Sequence, residues 1–162
     1  QLHAMIANGG RLVSPHITRG FRSGDALAPA SAPTGHQLIR PDVTRTVLSW
    51  MESVVDKGSG KGVKTPGFRI GGKTGTAQVK KITEKQRELD LDTAQIPYED
   101  RDHAWFVAFG PYKNPRYSIC VFVEHGGSGS KAAAPLAKKV IKKVIDRHEE
   151  REKIRKRNLV DI

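Results

Sequence analysis

The stretch Gly71-Gly72-Lys73-Thr74-Gly75-Thr76 puts one ammonium and two hydroxyls beside bare glycine backbone. Such a set binds anions, and two chemistries use it. The first is a phosphate loop. Gly67 to Thr74 spells G-x-x-x-x-G-K-T, in which backbone N–H groups and a helix N-terminus cradle phosphates. That motif needs an apolar strand before it and a helix opening at Lys-Thr. Upstream, however, residues 58–66 read Gly-Ser-Gly-Lys-Gly-Val-Lys-Thr-Pro, a loop by composition. Downstream, Gly75 follows at once, and Thr76-Ala77-Gln78-Val79 reads as strand. The context counts against a nucleotide site.

The second chemistry is a strand lining a cleft. With a period of two, Thr74 and Thr76 share one face. Gly75 between them lets a ligand approach the backbone closely. Lys73 adds a positive charge at the start, although alternation points it away from the threonines. Such a strand suits an anionic, extended substrate end such as a peptide carboxylate. By spacing alone, an ordinary strand with one exposed lysine fits as well.

Other reactive side chains carry less. His16 has no acid–base partner nearby and reads as structural. Cys120 lies within Ile119-Cys120-Val121-Phe122-Val123 and reads as a buried, inert thiol. A single cysteine excludes an internal disulfide and a cysteine-rich metal site.

The elements that must position the strand follow from pattern. Residues 1–8 carry Leu2, Met5 and Ile6 at helical spacing, closed by Gly9-Gly10. Residues 11–13 and 16–18 are short strand candidates, and residues 20–35 read as loop. Residues 41–55 read as a helix with Val43, Val47, Met51, Val54 and Val55 on one side and Asp42 at its positive end. Residues 57–64 read as a flexible loop. Residues 80–102 are long and charged, either an excursion with a short helix near 83–89 or a mobile lid. Residues 104–109 and 117–123 form a hairpin around Pro111-Tyr112-Lys113-Asn114-Pro115, with Trp105-Phe106 suggesting burial on both faces. A last helix from about Lys131 has apolar rows of Leu136, Val140 and Val144, and of Ala137, Ile141 and Ile145. Beyond His148 the apolar spacing lapses into a mixed-charge tail.

The chain has 162 residues, 37% of them hydrophobic, and a mean hydropathy of −0.49. That length holds one domain with a sizeable core. No run of about 18 apolar residues offers a membrane-spanning helix. Gln1 begins abruptly inside a helical pattern without a signal peptide, as a fragment would. The net charge of +11 raises nucleic acid or an anionic membrane as partners. Much of that charge falls in residues 138–157, and no helix-turn-helix, zinc spacing or RNA-binding motif accompanies it. Nucleic acid is therefore not the expected partner, and a basic nucleic-acid-binding module stands only as an alternative.

A wider text narrows the reading. Lys-Thr-Gly is the third signature of penicillin-binding proteins and serine β-lactamases. Gly72-Lys73-Thr74-Gly75-Thr76-Ala77-Gln78-Val79, His103-Ala104-Trp105-Phe106-Val107-Ala108-Phe109-Gly110-Pro111 and Val121-Phe122-Val123-Glu124-His125-Gly126-Gly127 together resemble the C-terminal half of a class B penicillin-binding protein transpeptidase domain. The likeness is to the cell-elongation type more than the septal type. It covers residues 1–147, leaving 148–162 as a charged tail. The implied fold is α/β of the α+β type, the transpeptidase fold with helices packed on an antiparallel sheet, present here as its C-terminal portion.

The resemblance implies a peptidoglycan D,D-transpeptidase that cross-links stem peptides through a serine acyl-enzyme and is acylated by β-lactams. It implies no metal or organic cofactor. Carried over, Lys73 holds the cleft's positive charge and bonds toward the serine of an S-x-N motif. Thr74 and Thr76 bind the substrate carboxylate beside Gly75, and the N–H of Thr76 is one oxyanion donor. Implied partners are stem peptides, β-lactams, a membrane glycosyltransferase and other elongation proteins. The implied place is the periplasmic face of the cytoplasmic membrane, through a segment absent from these residues. A penicillin-binding sensor or β-lactamase-like protein of the same fold is the alternative. Two strings imitate the missing motifs: Ser128-Gly129-Ser130-Lys131 spells S-x-x-K, and Tyr112-Lys113-Asn114 spells Y-x-N. Their order after K-T-G is reversed from the family's. Ser130 as an N-cap and Asn114 as a turn residue are the plainer readings. The nucleophile is thus expected outside this chain, which alone is expected to be inactive.

Overall fold

The computed structural model describes residues 1–18, 20–24, 26–30, 35–80 and 93–160. They form two units, Gln1–Leu48 and Ser49–Ile162.

In the first unit, α1 (Leu2–Ala7) buries Met5 and ends where Gly9 and Gly10 take φ of +84° and +95°. The Gly10 N–H returns to the Met5 carbonyl at 2.8 Å, the left-handed closure that glycine permits. β1 (Arg11–Leu12) follows. Residues 16–18 form no strand, and Ile17 is fully exposed. A three-residue segment without a paired neighbour has nothing to hold it extended. Residues 20–35, expected as loop, contain an antiparallel hairpin instead. Its strands are β2 (Gly20–Ser23) and β3 (Ala26–Pro29). Gly24, at φ +59°, opens its turn, and the small-residue composition concealed the strands. β4 (His36–Gln37) pairs antiparallel with β1.

α2 (Pro41–Asp56) starts on proline, whose fixed φ suits a first helical turn, with Asp42 beside it. The division between the units falls within this helix. Thr44, Met51 and Val55 are its buried positions, whereas Val43 is exposed.

The second unit is built on a three-stranded antiparallel sheet in the order β5 (Gly71–Ala77), β6 (His103–Gly110), β7 (Tyr117–Val123). Thr74 stands opposite Phe106, which stands opposite Val121. Central β6 buries Ala104 and all of residues 106–110. Trp105 departs from the expected two-sided burial. It is exposed and lies against Phe122, ring centroids 4.4 Å apart. Edge strand β7 alternates strictly, with Ile119, Val121 and Val123 turned inward. That alternation puts Cys120 on the outer face with Phe122, so the thiol is exposed rather than buried.

α3 (Ala134–Val160) lays Ala137, Ile141 and Ile145 into the core with Phe106 and Ala108. These positions are four apart and form one ridge. The other expected row faces outward, with Leu136 and Val140 exposed. The helix runs without a break past His148, whose Nε2 lies 2.5 Å from Arg116 Nη1. It begins through a π-helical turn, Gly129–Ala133. Ser128, not Ser130, stands at the cap position. Its hydroxyl pairs with that of Ser130 at 2.9 Å and caps no N–H. Its carbonyl accepts the N–H groups of Lys131 and Ala132 instead.

Residues 57–64 are a tight bracket, not an open loop. The N–H groups of Gly58 and Gly60 both reach the Val54 carbonyl, and Val63 in a 3₁₀ turn (Lys61–Val63) is fully buried. The short helix expected near 83–89 lies outside the described residues. The described ends of that excursion are fastened. Lys80 pairs with Asp100 at 2.7 Å, and the Val79 N–H reaches Asp102 Oδ1 at 3.3 Å.

Candidate functional site

β5 has one sheet partner, β6, so among the described residues its other edge is open. Its two leading glycines answer to the core beneath. A Cβ on Gly72 would meet the Phe106 ring at 2.7 Å, and one on Gly71 would strike the Phe109 ring. Both rings are fully buried, Phe106 on one face of the sheet and Phe109 on the other. No helix opens at Lys73-Thr74, both of which are mid-strand. The phosphate-loop geometry is therefore absent, because that motif needs its N–H groups gathered at a helix start.

The register puts Thr74 and Thr76 on the face of Phe106 and Ala104, and Lys73 and Gly75 on the face of Val107 and Trp105. Alternation thus separates Lys73 from the threonines, as expected. Its long stem still bends round the strand, and Nζ donates to the Thr74 carbonyl at 2.7 Å. Lys73 and Thr76 are exposed and Thr74 and Gly75 half-buried. Thr74 and Thr76 are two apart, so their backbone groups face the same side of the strand. The charge and the two hydroxyls thus share a short reach of accessible strand.

Two contacts at this strand were not visible to sequence reasoning. The Ser59 and Thr74 hydroxyls lie 2.7 Å apart. The only sequence signal was a serine flanked by glycines, Gly58-Ser59-Gly60. Gly129 lies over the β5–β6 backbone, where an added Cβ would fall on the carbonyl oxygens of Gly75 and Trp105 and 3.0 Å from Gly75 N. The turn carrying Gly129 is itself tied down. The Gly127 N–H reaches the Asp102 carbonyl at 2.7 Å, and the His125 N–H reaches His103 Nδ1 at 2.9 Å. His125 takes φ +49°, a strained value for a residue with a side chain.

Near the start of β5 a groove of about 330 Å³ is lined by Glu52, Asp56, Lys57, Lys64 and Arg69, among others. Four of these charges are paired, Lys64 with Asp56 at 2.6 Å and Arg69 with Glu52. The Lys64 ammonium holds the Asp56 carboxyl below the usual carboxylate range. Arg69 also lies over the Tyr112 ring, 5.1 Å from its centroid. Burial, and next the Glu52 charge, push the Tyr112 phenol above its ordinary 10.0. A raised folded value means the contribution to stability is intact below the unfolded value of 10.0 and is lost as pH rises through the raised one. An alkaline spectrophotometric titration should show a component, that of Tyr112, ionising above the ordinary phenol value. Tyr112→Phe should remove that late component and lessen the fall in thermal midpoint above about pH 10.

Among the described residues, no three His, Cys, Asp or Glu side chains gather as a metal site requires, and no helix is long and apolar enough to cross a membrane.

Residues 1–142 match the penicillin-binding protein transpeptidase domain, and the chain belongs to that family. It is similar to the peptidoglycan D,D-transpeptidase MrdA of Haemophilus influenzae, 37% identical over 147 residues, which are 85% of this chain and 21% of that protein. Among solved structures it is similar to penicillin-binding protein A from Mycobacterium tuberculosis as an imipenem acyl-enzyme complex (TM-score 0.62, 30% identity, 88% of this chain and 28% of that one). It is also similar to PBP2 from Helicobacter pylori in complex with MreC (TM-score 0.66, 26% identity, 88% of this chain and 23% of that one). The fold is thus a portion of the α+β transpeptidase fold. The chain spans about a fifth of the length of the MrdA relative, at 21%.

Proposed function

We propose that this chain is the Lys-Thr-Gly side of a peptidoglycan D,D-transpeptidase that cross-links stem peptides and is acylated by β-lactams. One observation carries the reading. The accessible strand β5 joins Lys73, Thr74 and Thr76 within the region matched to the transpeptidase family. The serine nucleophile and the S-x-N motif come from parts of the longer protein outside this chain. Lys73 supplies the cleft's positive charge and bonds toward the S-x-N serine. Thr74 and Thr76 take the substrate carboxylate through their hydroxyls, and Gly75 leaves room for it. The Thr76 N–H is one oxyanion donor, a role worth several kcal/mol in acyl transfer. No metal or organic cofactor takes part.

The imipenem acyl-enzyme of the mycobacterial relative supports β-lactams as ligands. The MreC complex of the Helicobacter relative supports a partner protein; other elongation proteins and a membrane glycosyltransferase belong to the same proposal. The working place is the periplasmic face of the cytoplasmic membrane, reached through a segment outside this chain.

The test uses the longest natural polypeptide containing these residues, incubated with penicillin and weighed intact. One adduct per protein, on a serine outside this chain, is expected. No adduct on folded protein removes the transpeptidase reading. An adduct on Ser128 would move the nucleophile into the Ser128-Gly129-Ser130-Lys131 string.

A further inference from the structure

We propose that Ser59 is a positioning residue of the carboxylate subsite, acting through Thr74; the inference rests on the transpeptidase reading above. The two hydroxyl oxygens are 2.7 Å apart, within hydrogen-bonding range for a hydroxyl pair, yet 15 residues apart in sequence. Ser59 is exposed and Thr74 half-buried, so the pair is open to a ligand.

The backbone holds Ser59 there. Gly58 and Gly60, on either side of it, both donate to the Val54 carbonyl, at 3.1 and 3.0 Å. A Cβ on Gly58 would meet Val54 Cα at 2.8 Å. One on Gly60 would meet the Val54 carbonyl oxygen at 3.2 Å and the Phe106 ring at 3.5 Å. The Val63 N–H closes on the Gly60 carbonyl, and Val63 is fully buried. The serine therefore stands on a bracket fastened to the core that supports β5. A surface serine kept only for solubility would need no such fastening.

The chemistry follows from counting protons. A hydroxyl has one donor and two acceptor lone pairs and rotates to suit. Alone, the Thr74 hydroxyl has no committed direction, and its proton must first be turned toward an incoming carboxylate. Once the two hydroxyls are bonded, one proton is used between them and one remains. With Ser59 donating, the remaining free O–H is that of Thr74, polarised by the bond behind it. Ser59 thus prepares the Thr74 side of the strand for a negatively charged oxygen.

The experiment compares the unmodified long protein with its Ser59→Ala and Ser59→Thr variants. Acylation is followed with penicillin and with its methyl ester, which lacks the negative charge. The non-covalent dissociation constant and the acylation rate constant are separated by varying concentration, and a thermal midpoint is recorded for each protein. Ser59→Ala should weaken penicillin's initial binding about tenfold, the scale of a hydrogen bond to a charged group. Its acylation rate constant, its thermal midpoint and its reaction with the ester should change little. Ser59→Thr, which keeps the hydroxyl, should behave as the unmodified protein. Equal losses on penicillin and ester, no loss on either, or failure of threonine to restore binding would each overturn the proposal. If the unmodified protein is not acylated at all, the transpeptidase reading fails first and this inference with it.

Discussion

Replacing Lys73 with alanine in the long protein should slow penicillin acylation by about a hundredfold or more, with almost no change in thermal stability. The two halves of that expectation have separate causes. Lys73 is exposed, and among the described residues its ammonium donates to the Thr74 carbonyl. Nothing in the core depends on it, and exposed positions of this kind rarely move stability by more than about 0.5 kcal/mol. The rate is different. On the proposed reading Lys73 supplies the positive charge of the site, and loss of one such electrostatic group typically costs about a hundredfold to a thousandfold. The check is the time course of the mass adduct beside the thermal midpoint. A large drop in midpoint would recast Lys73 as a structural residue, and an unchanged rate would remove it from the site.

Gly129→Ala should lower unfolding stability by about 3 kcal/mol, the upper range for forcing an extra methyl group into a filled space. It should also slow acylation, although Gly129 bears no chemical group. The added Cβ would collide with the backbone of Gly75 and Trp105. Backbone oxygens in a paired sheet have little freedom to yield, unlike the end of a flexible side chain. Relief requires lifting the Gly129–Ala133 turn off the sheet or pushing β5 outward. The first loosens the packing of Ala133, Ala134 and Ala137. The second displaces Gly75 from between Thr74 and Thr76. Urea unfolding with the acylation time course measures both effects. Alanine tolerated without loss of either would mean the turn is free to rise, and that its close approach does not set the position of β5.

Much of the second unit was legible in advance because its signals are local. The strand reading at residues 74–79 announced β5, although the strand is Gly71–Ala77 and stops before Gln78, the apolar runs around Pro111 and Pro115 announced the β6–β7 hairpin, and helical spacing announced α2 and α3. The shared face of Thr74 and Thr76 needed only a period of two. The failures were of another kind. The β2–β3 hairpin lacked large apolar residues and read as loop. Cys120 and Trp105 sit in apolar text, but inward and outward positions depend on what covers each face. The outer row of α3, Leu136 and Val140, looked as apolar as the inner row, and only the sheet chose between them.

By itself the sequence determined that Lys73, Thr74, Gly75 and Thr76 lie on one strand and which of them share a face. It also determined the likeness in text that names the family. Tertiary structure alone decided which groups meet that strand. Ser59 reaches Thr74 across 15 residues, Gly129 rests on Gly75 across a turn and two strands, and the ammonium of Lys73 bends onto a carbonyl that alternation does not offer it. The reason is physical. Periodicity comes from backbone geometry and is written in neighbouring residues, whereas these contacts arise where separate elements are pressed together by a common core.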